Sequence, residues 1–324
     1  MRILLLGHGK WACTTLRALC ERGHDVIGVV TETDEFETRR AKDNVRFEQF
    51  GAYELLARTA SELGLPVHQP DRFHDPKMLA TIDVLAPELV VCVSYHTILR
   101  SEFLSHYPER VINAHLAPLP EYRGRAPLNW AIINGERETA VTVHFIDEGI
   151  DTGPIIVQEP IPIGPDDQAI DVLLRALPVF PKAVCEAVDL LAAGTAPQIP
   201  QDPTAGCYFP RRTPEDGLVD WSREPAVDIH NKIRALADPY PGAFSYVGSR
   251  KIIFLEARLA KGVARLSPVG GVVYRLPSDG AASVTTMDGA VDLLRVRIED
   301  NEGPADRLLR LGQRLSAFRL VKRR

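Results

Sequence analysis

The chain has 324 residues and a mass of 35.8 kDa, more than one small domain needs, so two domains or a large α/β domain with an appendage are expected. Apolar residues make up 45% and charged residues 25%, values of an ordinary globular protein that exclude long disorder, collagen and coiled coil. The net charge of −5 and a pI of about 6.0 give no global reason to bind nucleic acid or an acidic membrane surface. The charge is uneven, however. Residues 1–215 carry 20 Lys and Arg against 30 Asp and Glu, whereas residues 216–324 carry 18 against 13 and end in Lys322-Arg323-Arg324. A basic appendage on an acidic body could be an RNA arm.

The first segment, Arg2 to Gly7, reads as a short buried strand followed by a Gly7-His8-Gly9 turn. Apolar residues then recur at helical spacing from Trp11 to Cys20, Gly23 ends the helix, and Asp25–Val30 is a second strand. Strand, Gly-rich turn, helix and strand open a doubly wound α/β sheet. NAD binding is disfavoured, because Gly7-x-Gly9 lacks the third glycine and Thr31-Glu32 is a weak match for the ribose-binding acid.

Residues 32–47 are charged and aperiodic and read as a surface loop. Helices follow at about 50–63 and through Met78–Leu85, then a buried strand at Glu88–Ser94 and another at Arg110–His115. Thr139–Ile146 and Pro154–Ile163 read as strands. Asp166 or Asp167 is expected to cap a long helix reaching about Leu191, kinked at Pro178 and Pro181. Pro197 to Pro210 is a linker by composition. A helix at Ala226–Leu236 then precedes short alternating strands at Ala243–Val247, Lys251–Arg258, Gly270–Arg275, Ala282–Thr286 and Ala290–Ile298, the pattern of a small β-barrel. The expected domains are 1–195, a linker at 196–215, and 216–324. The five cysteines are odd in number and lack a CxxC pair, which argues against a disulfide framework or a metal site. Neither a signal peptide nor a membrane span is recognisable, so a cytoplasmic protein is expected.

The chemistry concentrates around one strand. Asn113 and His115 are two apart, so both side chains leave the same face, at the carboxyl end where open α/β sheets bind ligands. Tyr122-Arg-Gly-Arg125 follows, a loop that could hold a carboxylate or phosphate. Asp147-Glu-Gly-Ile-Asp151-Thr-Gly153 makes a tight loop in which Asp151 matters only if it meets His115.

Asn113-x-His115, Leu119-Pro120, Tyr122-Arg-Gly, Ala126-Pro-Leu-Asn-Trp130, Asn134-Gly-Glu136 and Asp151-Thr-Gly-Pro154 together resemble the 10-formyltetrahydrofolate-dependent formyltransferases. The resemblance continues through Phe209–Asp216, Trp221, His230–Arg234 and Pro239–Gly248, and spans about residues 1–255. It is similar to two subfamilies, which act on methionyl-tRNA and on UDP-4-amino-4-deoxy-arabinose, the second judged nearer. It implies a Rossmann-like α/β domain followed by a small OB-like barrel. It also implies Asn113, His115 and Asp151 as catalytic residues, Asp151 raising the pKa of His115 and orienting its ring. The folate site implied is Thr97, Ile98, Leu99, Arg125, Asp147, Glu148, Gly149 and Ile150, with 10-formyltetrahydrofolate as co-substrate and no metal. One departure stands out: the family usually reads His-x-Ser-Leu-Leu-Pro, where this chain has His115-Leu-Ala117-Pro118-Leu-Pro120.

The expected acceptor is a small-molecule amine, either a nucleotide-linked amino sugar or an N-hydroxyornithine-type siderophore precursor. The alternative is methionyl-tRNA, which calls for a basic insertion in the first domain. The corresponding loop, Thr33–Phe47, instead balances Arg39, Arg40, Lys42 and Arg46 against Asp34, Glu35, Glu37 and Asp43. Nucleic acid and membrane are therefore not expected as partners, and pairing as a homodimer is left open. A folate-binding protein without catalysis, or a hydrolase releasing formate, are the further alternatives.

Overall fold

A computed structural model of the chain describes residues 1–33, 54–261 and 269–319. The charged loop from Asp34, the start of the 50–63 helix and the basic tail at 322–324 lie outside the described residues. The contacts divide the chain into two compact units. The first comprises Met1–Pro127, Glu138–Pro162 and Leu173–Pro210. The second comprises Leu128–Arg137, Ile163–Val172 and Arg211–Arg324.

The first unit is built on strands β1 (Arg2–Gly7), β2 (Asp25–Val30), β3 (Val67–His68), β4 (Leu89–Val93), β5 (Val111–His115), β7 (Glu138–Phe145) and β8 (Ile155–Pro162). They form one sheet in the order β3-β2-β1-β4-β5-β7-β8. Strands β1 to β5 run parallel; β7 and β8 pair antiparallel at the far edge. All five residues of β4 are buried, as a strand covered on both faces requires. Helices α1 (Gly9–Glu21), α2 (Leu56–Glu62), α3 (Pro76–Leu85) and α4 (Ser101–His106) lie in the crossovers. Leu4, Leu6, Val90, Cys92 and Val111 pack with Met78 and Ile82 of α3 and Phe103 of α4 in one apolar cluster. Asp75 caps α3 by accepting from the Lys77 N–H at 3.0 Å, with Pro76 in the first turn.

The expected single kinked helix is two. Helices α6 (Ala169–Ala176) and α7 (Val179–Ala192) are separated at Leu177-Pro178. Pro181 falls in the first turn of α7, where a missing N–H removes no intrahelical bond. The Asp167 carboxylate accepts from the Gly164 N–H at 2.6 Å, upstream of the helix.

The second unit holds helix α5 (Pro127–Ile133, from Leu128 on), helix α8 (Ala226–Leu236) and an antiparallel sheet. Its strands are β10 (Ala243–Val247), β11 (Arg250–Leu259), β12 (Val273–Arg275), β13 (Ala282–Thr285), β14 (Ala290–Ile298) and β15 (Asn301–Pro304). The order is β10-β11-β14-β13-β12, and β15 adds to β14. Single bridges from Tyr246 to Ser316 and from Val272 to Arg314 tie the two ends of this sheet to one C-terminal segment. The result is a curled half-barrel rather than a fully laddered barrel. Trp221 is buried against Phe254 and donates its indole N–H to Ser245 Oγ at 3.1 Å.

Candidate active site

Strand β5 is buried except at Asn113, which is half-buried, and its partner β7 sets the site by register. Antiparallel pairing places Asn113 opposite His144 and His115 opposite Thr142. Asn113 Nδ2 donates to His144 Nε2 at 3.3 Å, and His144 Nδ1 donates to the Phe145 carbonyl at 2.7 Å. A carbonyl only accepts, so neutral His144 carries its proton on Nδ1 and leaves Nε2 as the acceptor.

His115 Nε2 donates to the Tyr122 carbonyl at 3.0 Å, so the lone pair of the neutral ring is on Nδ1. Asp151 lies on that side. Its Oδ2 is 3.7 Å from His115 Nδ1 and its Oδ1 is 3.6 Å from His144 Nε2. The Gly124 N–H donates to Asp151 Oδ2 at 2.9 Å. One carboxylate is thus shared by two imidazoles and fixed by one backbone amide.

The electrostatics follow from burial. Burial pushes His115 below its ordinary 6.5, against the opposing pull of Asp151 and of the Tyr122 carbonyl. The expected rise at His115 is therefore not the net result: Asp151 raises it, but desolvation of a buried ring is the larger effect. Nor does Asp151 orient the ring by a direct hydrogen bond in this arrangement, since 3.7 Å exceeds hydrogen-bond reach. Burial alone would raise Asp151. Attraction to the imidazoles of His115 and His144 when they carry the proton, together with the Gly124 N–H, outweighs it and brings the carboxyl down to about 2.

Local backbone requirements hold these groups in place. Asp151 and Tyr122 sit in the left-handed region, at φ of 55° and 59°. Two glycines are obligatory beside them. A Cβ on Gly153 would meet the Phe145 carbonyl oxygen at 1.9 Å, and one on Gly124 the Phe209 oxygen at 2.3 Å. The latter closeness arises because strand β6 (Arg123–Gly124) pairs in parallel with β9 (Tyr208–Phe209). The turn after His115 is pinned as well. Thr142 Oγ1 donates to the Ala117 carbonyl at 2.6 Å, and Gln158 Nε2 donates to the Leu119 carbonyl at 3.0 Å. Ala117 is fully buried, so a packed methyl occupies the place of a hydroxyl.

The remaining expected residues lie on separate loops, one after β4, one after β6 and one after β7. Leu99 is buried in the apolar cluster; the Ile98 carbonyl accepts from His74 Nε2 at 3.0 Å while its side chain is exposed. Asp147 folds its own loop, accepting from the Gly149 N–H at 3.1 Å and Thr152 Oγ1 at 2.6 Å. Glu148, Gly149, Ile150 and Arg125 are exposed, and Thr97 is half-buried. Ile98 and Ile150 are large aliphatic residues with exposed side chains.

Two contributors escape a reading by spacing. His144 interrupts an apolar strand near its end, as Asn113 does, and that interruption was the available signal. Gln201 lies in the Pro-rich stretch and carries no signal in the sequence.

The first unit is a Rossmann-like parallel sheet with polar groups at its carboxyl edge, and the second is a curled half-barrel. Residues 1–188 match the formyl transferase family model and residues 211–304 match the formyl transferase C-terminal domain. The chain belongs to the formyl transferase family, enzymes that move a one-carbon group. Among its relatives, the methionyl-tRNA formyltransferase of Geobacter sulfurreducens is 39% identical over 260 residues, covering 80% of this chain and 79% of that protein. That of Geotalea uraniireducens is 39% identical over 271 residues, covering 84% and 80%. The crystal structure of WlaRD, a sugar 3N-formyl transferase studied with dTDP and 5-N-formyl-THF, shares the fold. Its TM-score is 0.68 at 19% identity, over 93% of this chain and 98% of that one.

Proposed function

We propose that this chain transfers the formyl group of 10-formyltetrahydrofolate to an amine, and that the amine is that of methionyl-tRNA. The observation that carries the reaction is Asp151 held between His115 and His144 beside the Asn113 amide. Asn113, His115 and Asp151 are the catalytic residues in this reading. The acceptor nitrogen attacks the formyl carbon, and the carbonyl electrons move to oxygen. An N–H of Asn113 or a protonated ring stabilises that oxyanion. His115, kept neutral by burial, offers the Nδ1 lone pair to the ammonium proton of the adduct, and Asp151 stabilises the imidazolium that forms. Collapse breaks the bond from carbon to N10, and N10 takes the proton. No covalent bond to the enzyme forms, so no Ser or Cys nucleophile is used.

In the same reading, the exposed Ile98 and Ile150 and the backbone around Thr97–Leu99 and Asp147–Ile150 receive the folate, with Arg125 beside the folate or the acceptor. The tRNA acceptor is favoured over the small amine because both named relatives near 40% identity act on methionyl-tRNA by name. The test is formylation of charged initiator tRNA, read as tetrahydrofolate release. Release that needs methionyl-tRNA supports the proposal; release with no acceptor would mark a hydrolase.

A small-molecule amine is the second reading, and a specific observation favours it. Part of the half-barrel's positive charge is paired within the unit: Arg258 pairs with Asp279 and Asp292, Arg295 with Glu302, and Arg297 with Glu302 and Asp238. Together with the charge-balanced Thr33–Phe47 loop, these pairs reduce the charge that can meet a phosphate backbone. Turnover with a nucleotide-linked amino sugar or an N-hydroxyornithine, and none with tRNA, would establish it.

A further inference from the structure

The Pro-rich stretch after α7 looks like a linker in composition, yet one of its side chains commits its whole amide to the frame of the site. Gln201 Nε2 donates to the Asp151 carbonyl at 2.9 Å and to the Gly153 carbonyl at 2.7 Å. Its Oε1 accepts from Arg123 Nε at 3.2 Å and Nη2 at 3.0 Å. Arg123 is buried, and its other hydrogen bonds go to the Asp202 and Ala205 carbonyls. The next residue, Gly124, supplies the N–H that holds Asp151 Oδ2. Gln201 therefore grips Asp151 from two directions: directly at its carbonyl, and through Arg123 at the strand that fixes its carboxylate.

That double grip matters because of the backbone. Asp151 has φ of 55°, a left-handed conformation that is unfavourable for an L-residue and persists only where its surroundings over-determine it. Loss of the grip would let the residue relax and swing its carboxylate from the two imidazoles. Anchoring of the stretch itself does not depend on Gln201. Ile199 exchanges two backbone hydrogen bonds with Ile155, at 2.8 and 3.0 Å, and β9 pairs with β6.

We propose that Gln201 is a positioning residue for Asp151, holding its backbone so that one carboxylate faces both His115 and His144. This inference rests on the reading of His115 and Asp151 as the formyl-transfer groups. It predicts an effect on turnover out of proportion to any effect on folding.

Two variants test it. Gln201→Met keeps the length and removes all four hydrogen bonds without adding charge. Gln201→Glu keeps a carboxylate for Arg123, so the segment stays anchored, but removes both donors to the Asp151 and Gly153 carbonyls. In both, kcat with methionyl-tRNA is expected to fall by about tenfold or more, with KM for 10-formyltetrahydrofolate within about twofold of the parent. In Gln201→Met, the His115 ring titration, followed by NMR, is expected to move to lower pH, because the carboxylate that raises it is no longer held in place. The unfolding midpoint of Gln201→Glu is expected to stay within about 4 °C of the parent.

Parental kcat in either folded variant would overturn the proposal. So would a raised KM with unchanged kcat, which would make Gln201 a support of the binding loop alone, or an unmoved His115 titration. Should Gln201→Met fail to fold, the kinetics of Gln201→Glu decide. The ring titration needs no acceptor: if it moves while the parent protein formylates no amine, the functional reading fails and the positioning role stands.

Discussion

Two carboxylates, one in each unit, show how the same group is put to different use. Asp292 lies on β14 with its side chain 3% exposed; Ser283 Oγ donates to it at 2.6 Å, and Arg258 reaches it at 3.2 Å. Arg275 stands 3.9 Å away. Its charge is met by permanent cations and a hydroxyl, so no proton need move. Asp151 is met instead by two imidazoles just beyond hydrogen-bond reach and one backbone N–H. Imidazoles, rather than guanidinium groups, face it. A carboxylate matched by arginine stabilises a fold; one matched by histidine can exchange protons.

The largest effects should come from breaking the Asp151 side of this comparison. His115→Ala, Asn113→Ala and Asp151→Ala are each expected to lose about 2–4 kcal/mol of transition-state stabilisation in kcat/KM. Single-turnover formyl transfer measures this. Parental rates in all three would remove the site assignment.

Acid separates the two carboxylates next. The Asp151 carboxyl lies at about 2 in the folded chain against 3.8 when free. A depressed carboxyl stabilises the fold above its unfolded value, and that contribution disappears as pH falls through the folded value. The contribution at neutral pH is about 2 kcal/mol, lost between roughly pH 4 and pH 2. Urea unfolding of the parent against Asp151→Asn should show the difference shrinking across that window. His115 works the other way in mechanism but with the same sign in stability. Its folded value lies below 6.5, so the unfolded chain takes up the proton first, and stability falls as pH drops below about 6.5. Where neutral His115 is the base, kcat should hold its plateau to pH values below 6.5 before declining.

Breaking the structural carboxylate should do the converse. Asp292→Asn is expected to cost about 1–2 kcal/mol in unfolding free energy, because Arg258 is partly exposed and can reorient to water. Formyl transfer per folded molecule should be unchanged. A loss of kcat without loss of stability would show that the half-barrel takes part in the reaction.

The comparison also explains what was legible in the sequence. Strands such as Asp25–Val30, Ala243–Val247 and Ala290–Ile298, and the helix Ala226–Leu236, carry their periodicity locally and are found at the expected bounds. Asn113 and His115 could be paired on one face because strand geometry has a period of two. His144 could not be added, since only the antiparallel register of β5 and β7 sets it opposite Asn113, 31 residues earlier. The helix expected to run to Leu191 is divided in two at Leu177-Pro178, because the apolar pattern runs across that point while Pro178 breaks the helix. Gln201 was hidden for a different reason: a side chain that holds main-chain carbonyls leaves no pattern at all.

The smallest expected effect concerns the outer charges of the half-barrel, and it sharpens the question of the acceptor. Glu302 holds both Arg295 and Arg297, with Arg297 Nε donating to it at 2.8 Å. Partly exposed pairs of this kind contribute about 0.2–1 kcal/mol each, so Glu302→Gln should shift the unfolding midpoint only slightly. It should, however, release two guanidinium groups, one of them still near Asp238 at 3.6 Å. If this face meets the phosphates of tRNA, the variant should bind tRNA more tightly, and the dependence on salt should steepen by about one phosphate contact. If the acceptor is a small amine, tRNA affinity and formyl transfer should both be indifferent to the change. Filter binding at two salt concentrations distinguishes these outcomes, because a freed arginine that touches no phosphate leaves the salt slope where it was.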